Sequence, residues 1–99
     1  MNVIVVRMKI KTSSVDAFES EMKRHIAWTR ANEPGCLVFQ VGRDDREPGA
    51  YHVYEVFRDR HARQEHDRSP SLVMLNEKMR AWLEDRVQYD AISLEPGER

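Results

Sequence analysis

The chain has 99 residues, and its 16 Lys/Arg against 17 Asp/Glu leave a formal charge of −1. That length allows one core, and the balanced charge argues against nucleic acid or an acidic membrane as partner. No apolar run approaches the ~20 residues of a membrane span. The opening Met1–Val6 lacks the basic start of a signal peptide. A lone cysteine, Cys36, cannot form an internal disulfide, which fits the cytoplasm. It reads as a small apolar strand residue rather than a nucleophile.

Val3 to Ile10 alternates as a strand, with Ile4, Val6, Met8 and Ile10 on one face and Val3, Val5, Arg7 and Lys9 on the other. Ser13 and Asp16 have the spacing of a capping box and predict a helix start. Within that helix Phe18, Met22, Ile26 and Thr29 share a stripe. Pro34 and Gly35 predict its end near Asn32. Cys36 to Arg43 reads as a second strand with Leu37, Phe39 and Val41 on one face. Asp44 to Gly49 has the composition of a turn. Ala50 to Phe57 reads as a third strand, apolar on both faces: Tyr51, Val53 and Phe57 against Tyr54 and Val56. A short helix from about Arg60 to Asp67 follows. Ser69 then caps another helix, whose first residue, Pro70, has no amide hydrogen to lose. That helix presents Leu72, Leu75, Met79 and Trp82 or Leu83. Val87 to Leu94 supplies a fourth strand, and Glu95 to Arg99 reads as a frayed polar tail.

The order βαββααβ is that of an α+β, ferredoxin-like domain spanning residues 1–99: a four-stranded antiparallel sheet with helices on one face. Helices can cover one face only, yet the first and third strands are apolar on both. At ~25 cal/mol per Å², several hundred Å² of bare sheet would forgo many kcal/mol. The free face is therefore expected to meet the same face of a second copy, as a homodimer.

No signature of metal, nucleotide or flavin chemistry is present. His61 and His66 are five apart and diverge on a helix, HExxH is absent, and so are glycine-rich phosphate loops and GxSxG. No cofactor and no metal ligands are therefore expected. What remains are polar residues on apolar stripes: His66 four residues after Ala62, Asn76 between Leu72 and Met79, His25 beside the Met22–Ile26 stripe, Arg7 on the first strand, and His52 and Tyr54 on one face of the third. They suggest an apolar cavity holding a few convergent polar groups. A histidine with a pKa near ~6.5 is a natural base there. An electron-rich phenol, once deprotonated, can reduce dioxygen itself. The same equipment can move a proton beside a ketone.

Glu33-Pro34-Gly35-Cys36-Leu37-Val38-Phe39, then Tyr54-Glu55-Val56-Phe57, then Glu65-His66-Asp67-Arg68-Ser69-Pro70 is an ordered set that resembles the antibiotic biosynthesis monooxygenase (ABM) family, from about Val3 to Leu94. The resemblance implies a small dimeric α+β barrel that oxidises or isomerises quinol-like or dicarbonyl metabolites without a cofactor. It is closest in look to the quinol monooxygenases and to the isomerase of a phosphorylated quorum-sensing hydroxypentanedione. It matches His66, Glu55, Gly35 and Phe39 to family positions. Two departures stand out: Arg63 where the family usually has an aromatic, and Ser71 where it has a second histidine. Haem-degrading relatives carry Asn, Trp and His where this chain has Arg7, His66 and Asn76, which argues against haem degradation. The leading expectation is a monooxygenase acting on a small quinol or polyketide-like aromatic. His66 would be its base or oxygen-orienting donor, and Arg7, His25, His52, Tyr54 and Asn76 would be pocket groups. An isomerase of a small phosphorylated dicarbonyl, with Arg7 or Arg63 on the phosphate, and a non-catalytic dimeric binding or stress protein are the alternatives. Glu55 is expected to point into the dimer barrel and pair with an arginine across the interface. Because His66 lies on a short helix, its replacement by Ala is expected to spare the fold.

Overall fold

A computed structural model describes residues 1–94; the predicted tail at 95–99 lies outside the described residues. The elements are β1 (Asn2–Ile10), a single 3-10 turn (Thr12–Ser14), α1 (Val15–Asn32), β2 (Cys36–Arg43), β3 (Ala50–Phe57), α2 (Arg60–Asp67), α3 (Pro70–Met79) and β4 (Leu83–Ile92). The strands form one antiparallel sheet in the order β2-β3-β1-β4. This is the expected α+β, ferredoxin-like arrangement.

Alternation along β1 decides which face the helices cover. Ile4, Val6, Met8 and Ile10 are buried against Phe18 and Met22 of α1 and Leu75 and Met79 of α3. Val5, one step out of phase, is 40% exposed. β3 follows the same rule: Tyr51, Val53 and Phe57 enter the core, while His52 and Tyr54 face outward. Val56 points outward too, yet Val3 and Val38 flank it in register and it stays buried.

Side chains cap two helix starts, the second of them as predicted. The Asp59 side chain accepts from the Ala62 amide at 2.8 Å and starts α2. Ser69 Oγ accepts from the Leu72 amide at 3.1 Å, with Pro70 as the first residue of α3. The α1 start differs. No capping box forms at Ser13; the 3-10 turn precedes α1, and Ser14 makes no side-chain cap bond.

Two strand readings are also corrected. Cys36 pairs with Phe57 and Val38 with Val56, so Leu37 is an extra residue in a bulge. Leu37 is turned out to 41% exposure while Phe39 and Val41 pack on the core. β4 begins at Leu83, four residues earlier than predicted, because α3 stops at Met79 and a turn carries Trp82. Trp82 O accepts from the Lys11 amide at 2.8 Å, and Leu83 then pairs with Ile10. The charged run Glu84-Asp85-Arg86 hides this strand in the sequence, and such charge is a usual guard on a sheet edge.

The turn from β2 to β3 is tied by Asp44, whose Oδ1 accepts from the Arg46 and Glu47 amides, both at 2.9 Å. Gly49 closes the turn with φ of +85°, and its carbonyl accepts from the Ile10 amide at 2.7 Å. A Cβ there would lie 2.5 Å from the Ile10 carbonyl oxygen. Gly49→Ala therefore combines left-handed strain with a backbone clash and is expected to cost about 1–3 kcal/mol. A thermal melt should fall by about 4–8 °C per kcal/mol. An unchanged melt would show that the turn relaxes freely.

Candidate functional site

Between the sheet and α1, α2 and α3 lies a cavity of about 400 Å³. Its floor is Ile4, Val6, Met8 and Val53, and Leu72, Leu75 and Met79 of α3 lie across from them. Three buried polar side chains enter this apolar space: His25 from α1, Glu55 from β3 and His66 from α2. Arg63, Asn76, Arg80 and Arg86 contribute the more polar part of its lining.

Local structure explains how His66 arrives there. Pro34 and Gly35 end α1, which leaves Glu33 at its C-terminus, where its amide donates to Thr29 O at 2.9 Å. Gly35 is buried and lets Ala62 of α2 approach so closely that a Cβ on it would lie 2.5 Å from Ala62 Cβ. His66 sits one turn beyond Ala62 on the same face of α2. Its ring lies 4.9 Å from Phe57 and 5.7 Å from Phe39, centroid to centroid.

Both ring nitrogens of His66 face carboxylates. Nδ1 is 2.8 Å from Glu33 Oε1, and Nε2 is 3.2 Å from Glu55 Oε1. Burial opposes a charge on this ring, but Glu55 and then Glu33 outweigh it and raise the pKa above the ordinary histidine value. An ionised carboxylate only accepts, so the doubly protonated imidazolium suits both contacts. In that form the buried His66 ring is held between two carboxylates, with its proton-accepting capacity filled.

His25 is its opposite. It is fully buried, 5.6 Å from the His66 ring, and its Nδ1 lies 2.7 Å from Ser71 Oγ. Burial, the charge on His66 and then that on Arg24 lower its pKa to about 4. The surroundings favour the charged ring at one histidine and the neutral ring at its neighbour, within one cavity.

The six sequence-predicted residues divide. His66, His25 and Asn76 line the cavity, Asn76 at an exposed position. Arg7, His52 and Tyr54 do not reach it; they lie on the uncovered face of the sheet. Arg7 is paired there with Glu47 at 3.0 Å, and His52 with Asp44 at 2.8 Å. Tyr54 is 46% exposed. They were drawn in by the rule that a polar residue on an apolar strand marks a site, and this sheet is apolar on both faces. Glu55 is corrected in the opposite sense. It points under the helices toward His66 rather than into an open face, as its shared parity with Tyr51, Val53 and Phe57 could have shown. Glu33 and Ser71 were missed as site residues, since nothing local in the sequence links them to histidines 33 and 46 residues away.

The sequence profile of the antibiotic biosynthesis monooxygenase family matches residues 1–84. The chain belongs to that family. No curated protein matches it. Among solved structures, a candidate antibiotic biosynthesis monooxygenase from Caulobacter crescentus is 26% identical, with a TM-score of 0.90 over 95% of this chain and 90% of that one. One from Bacteroides thetaiotaomicron is 23% identical, with a TM-score of 0.91 over 99% of this chain and 94% of that one. The second likeness speaks to the fold alone.

Within the ABM fold, the position after Ser-Pro is held here by Ser71, whose hydroxyl meets His25 arriving from α1. Among the described residues, no three His, Cys, Asp or Glu side chains are grouped to hold a metal ion. Burial and then the charges of Glu33 and Glu55 push the Cys36 thiol up to about 12, which leaves it an inert packing residue. No helix in the described residues is long and apolar enough to cross a membrane.

Proposed function

We propose that this ABM-family protein is a cofactor-independent monooxygenase of a small quinol or polyketide-like aromatic, working in the cytoplasm as a homodimer. The observation that carries this reading is the apolar cavity of about 400 Å³ with His66 and Glu55 buried in its wall. That volume is within the range of small-ligand sites, and the apolar part of its walls suits a planar ring. A non-catalytic role would be better served by an interior filled with side chains.

The chemistry balances without a reductant. In the oxidation of a ring CH2 or CH to a carbonyl, one atom of dioxygen enters the product and the other leaves as water. The substrate supplies all four electrons. A substrate hydroxyl or enol first loses its proton, and the anion passes one electron to dioxygen. The radicals join at carbon as a peroxide, and loss of water then forms the carbonyl. The acceptor for the first proton is Glu55, since His66 already holds both of its own. The His66 cation stabilises the anion as it forms.

The test is oxygen uptake by metal-free protein on a panel of hydroquinones and anthrones, repeated with strong chelator. Turnover that survives chelation supports the scheme. Turnover that vanishes and returns with one metal overturns it. The second reading, isomerisation of a small phosphorylated dicarbonyl, draws on the arginines of the lining. Arg63 is engaged by Asp67 and Asp90, but Arg80 and Arg86 have no carboxylate partner among the described residues. Product analysis on such a substrate, with no oxygen consumed, would favour it.

The dimer is supported by the uncovered face, where Val5 is 40%, Tyr54 46% and Tyr89 65% exposed. Val5 faces both tyrosines in register. Sedimentation at micromolar concentration should give about twice the 11.7 kDa chain mass, and Tyr54→Asp with Tyr89→Asp should halve it. A folded wild-type monomer would overturn this reading.

A further inference from the structure

We propose that His25 is a ligand-binding residue whose Nε2–H donates to the carbonyl or phenolate oxygen of the bound aromatic, and that Arg24 and Ser71 are positioning residues that fix its proton there. The inference rests on the cavity being the substrate site and names the group that recognises the oxygen.

The geometry settles the tautomer. Ser71 is buried at the start of α3, with Oγ 3.0 Å from Arg24 Nη1 and 2.7 Å from His25 Nδ1. A guanidinium can only donate, so Oγ accepts from Arg24. The hydroxyl then has one hydrogen left to place, and His25 Nδ1 is the acceptor in reach. The reverse arrangement, Nδ1–H to Oγ, would leave both that hydrogen and the Nε2 lone pair buried without a partner, one orphan more than a proton on Nε2 leaves. Nδ1 therefore accepts, and the ring proton sits on Nε2.

Arg24 is itself braced. Nε donates to Glu21 Oε1 at 2.6 Å and Nη2 to the Ser71 carbonyl at 3.3 Å, while Lys78 of α3 reaches Glu21 Oε2 at 3.1 Å. The relay therefore ties α1 to α3. Its output is a donor with no partner: His25 is fully buried, lines the cavity, and its Nε2 makes no hydrogen bond. A ligand oxygen would satisfy it.

The groups around His25 keep that donor neutral. Glu21 and Arg24 lie on its own helix, Ser71 faces it from α3, Phe39 from β2 and the charged His66 from α2, with Glu55 across the cavity. Burial, then the charges of His66 and Arg24, disfavour a second proton. A neutral N–H beside a cation is suited to an oxygen that becomes an oxyanion. The ligand class is thus a planar phenol, or a ketone that forms an enolate.

Nitrogen-15 histidine spectra of the whole protein would read the tautomer directly, and 4-nitrophenol, whose phenolate absorbs in the visible, would report binding. The expected result is a neutral Nε2–H ring at His25 whose signal shifts on binding. Ser71→Ala should mix the tautomers and Ser71→Thr should restore them. His25→Leu should weaken phenolate binding about tenfold or more. An Nδ1–H ring in the wild type overturns the proposal, whether or not the His25 variant folds. So does phenolate affinity unchanged in His25→Leu, and in both cases the cavity can remain the substrate site. An absence of saturable 4-nitrophenol binding to the wild type overturns the proposal and the substrate-site reading together.

Discussion

Replacing His66 by Ala should lower oxygen uptake by about 10²–10³-fold and, contrary to what its place on a short helix suggests, should also cost several kcal/mol of stability. The side chains of His66, Glu33 and Glu55 are only 3%, 9% and 10% exposed. Removing the cation leaves two buried carboxylates with no counter-charge, a change that costs about 3–5 kcal/mol in comparable buried pairs. For a domain of this size that is a fall of about 10 °C or more in the melt.

The sign with pH follows from the raised pKa of His66. Its contribution to stability is complete below the unfolded histidine value of about 6.5 and is lost as pH rises through the folded value. The gap between wild type and His66→Ala should therefore narrow from neutral toward alkaline pH. His25, held down to about 4, works the other way, and its contribution is lost as pH falls from about 6.5 toward that value. His66→Gln keeps a donor without the charge and should fall between the two proteins. Equal melts for wild type and His66→Ala near pH 6 would remove the ion-pair account. Full turnover in that variant would remove His66 from the site.

What could be read from the sequence depended on how local the cause was. β2, β3 and α2 begin and end at the predicted residues because turns and caps mark them within a few positions: Pro34-Gly35, Asp44 to Gly49, Asp59, and Ser69-Pro70. The bulge at Leu37 has no such mark, since it follows from how β2 meets β3. The site was half legible. An apolar helix stripe exposed His66 and His25, yet the carboxylates that give His66 its charge come from the end of α1 and from β3. Their pairing depends on how α2 docks, and the close approach of Gly35 and Ala62 is part of that docking.

That contact makes Gly35→Ala the sharpest test of how the site is assembled. Gly35 is the buried glycine whose new Cβ would lie 2.5 Å from Ala62 Cβ and 3.6 Å from Ala62 Cα. Its φ is not positive, so what the position needs is space rather than left-handed backbone. The partner atom is a methyl fixed to the first turn of α2, not the end of a flexible chain, so α2 itself must move out. His66, one turn further on, would move with it away from Glu55 and Glu33. Overpacking of this kind costs about 1–3 kcal/mol. A shift near 1 Å at a reacting group can cost about 100-fold in rate. The expected variant is folded, melts several degrees lower, and has lost far more turnover than stability. Ala62→Gly alone should cost about 1 kcal/mol through lost helix propensity. Combined with Gly35→Ala it removes the clash, and turnover should return toward wild type, a coupling that a double-mutant cycle measures. If the double variant stays as slow as Gly35→Ala, the close approach of turn and helix is not what places His66 between its two carboxylates.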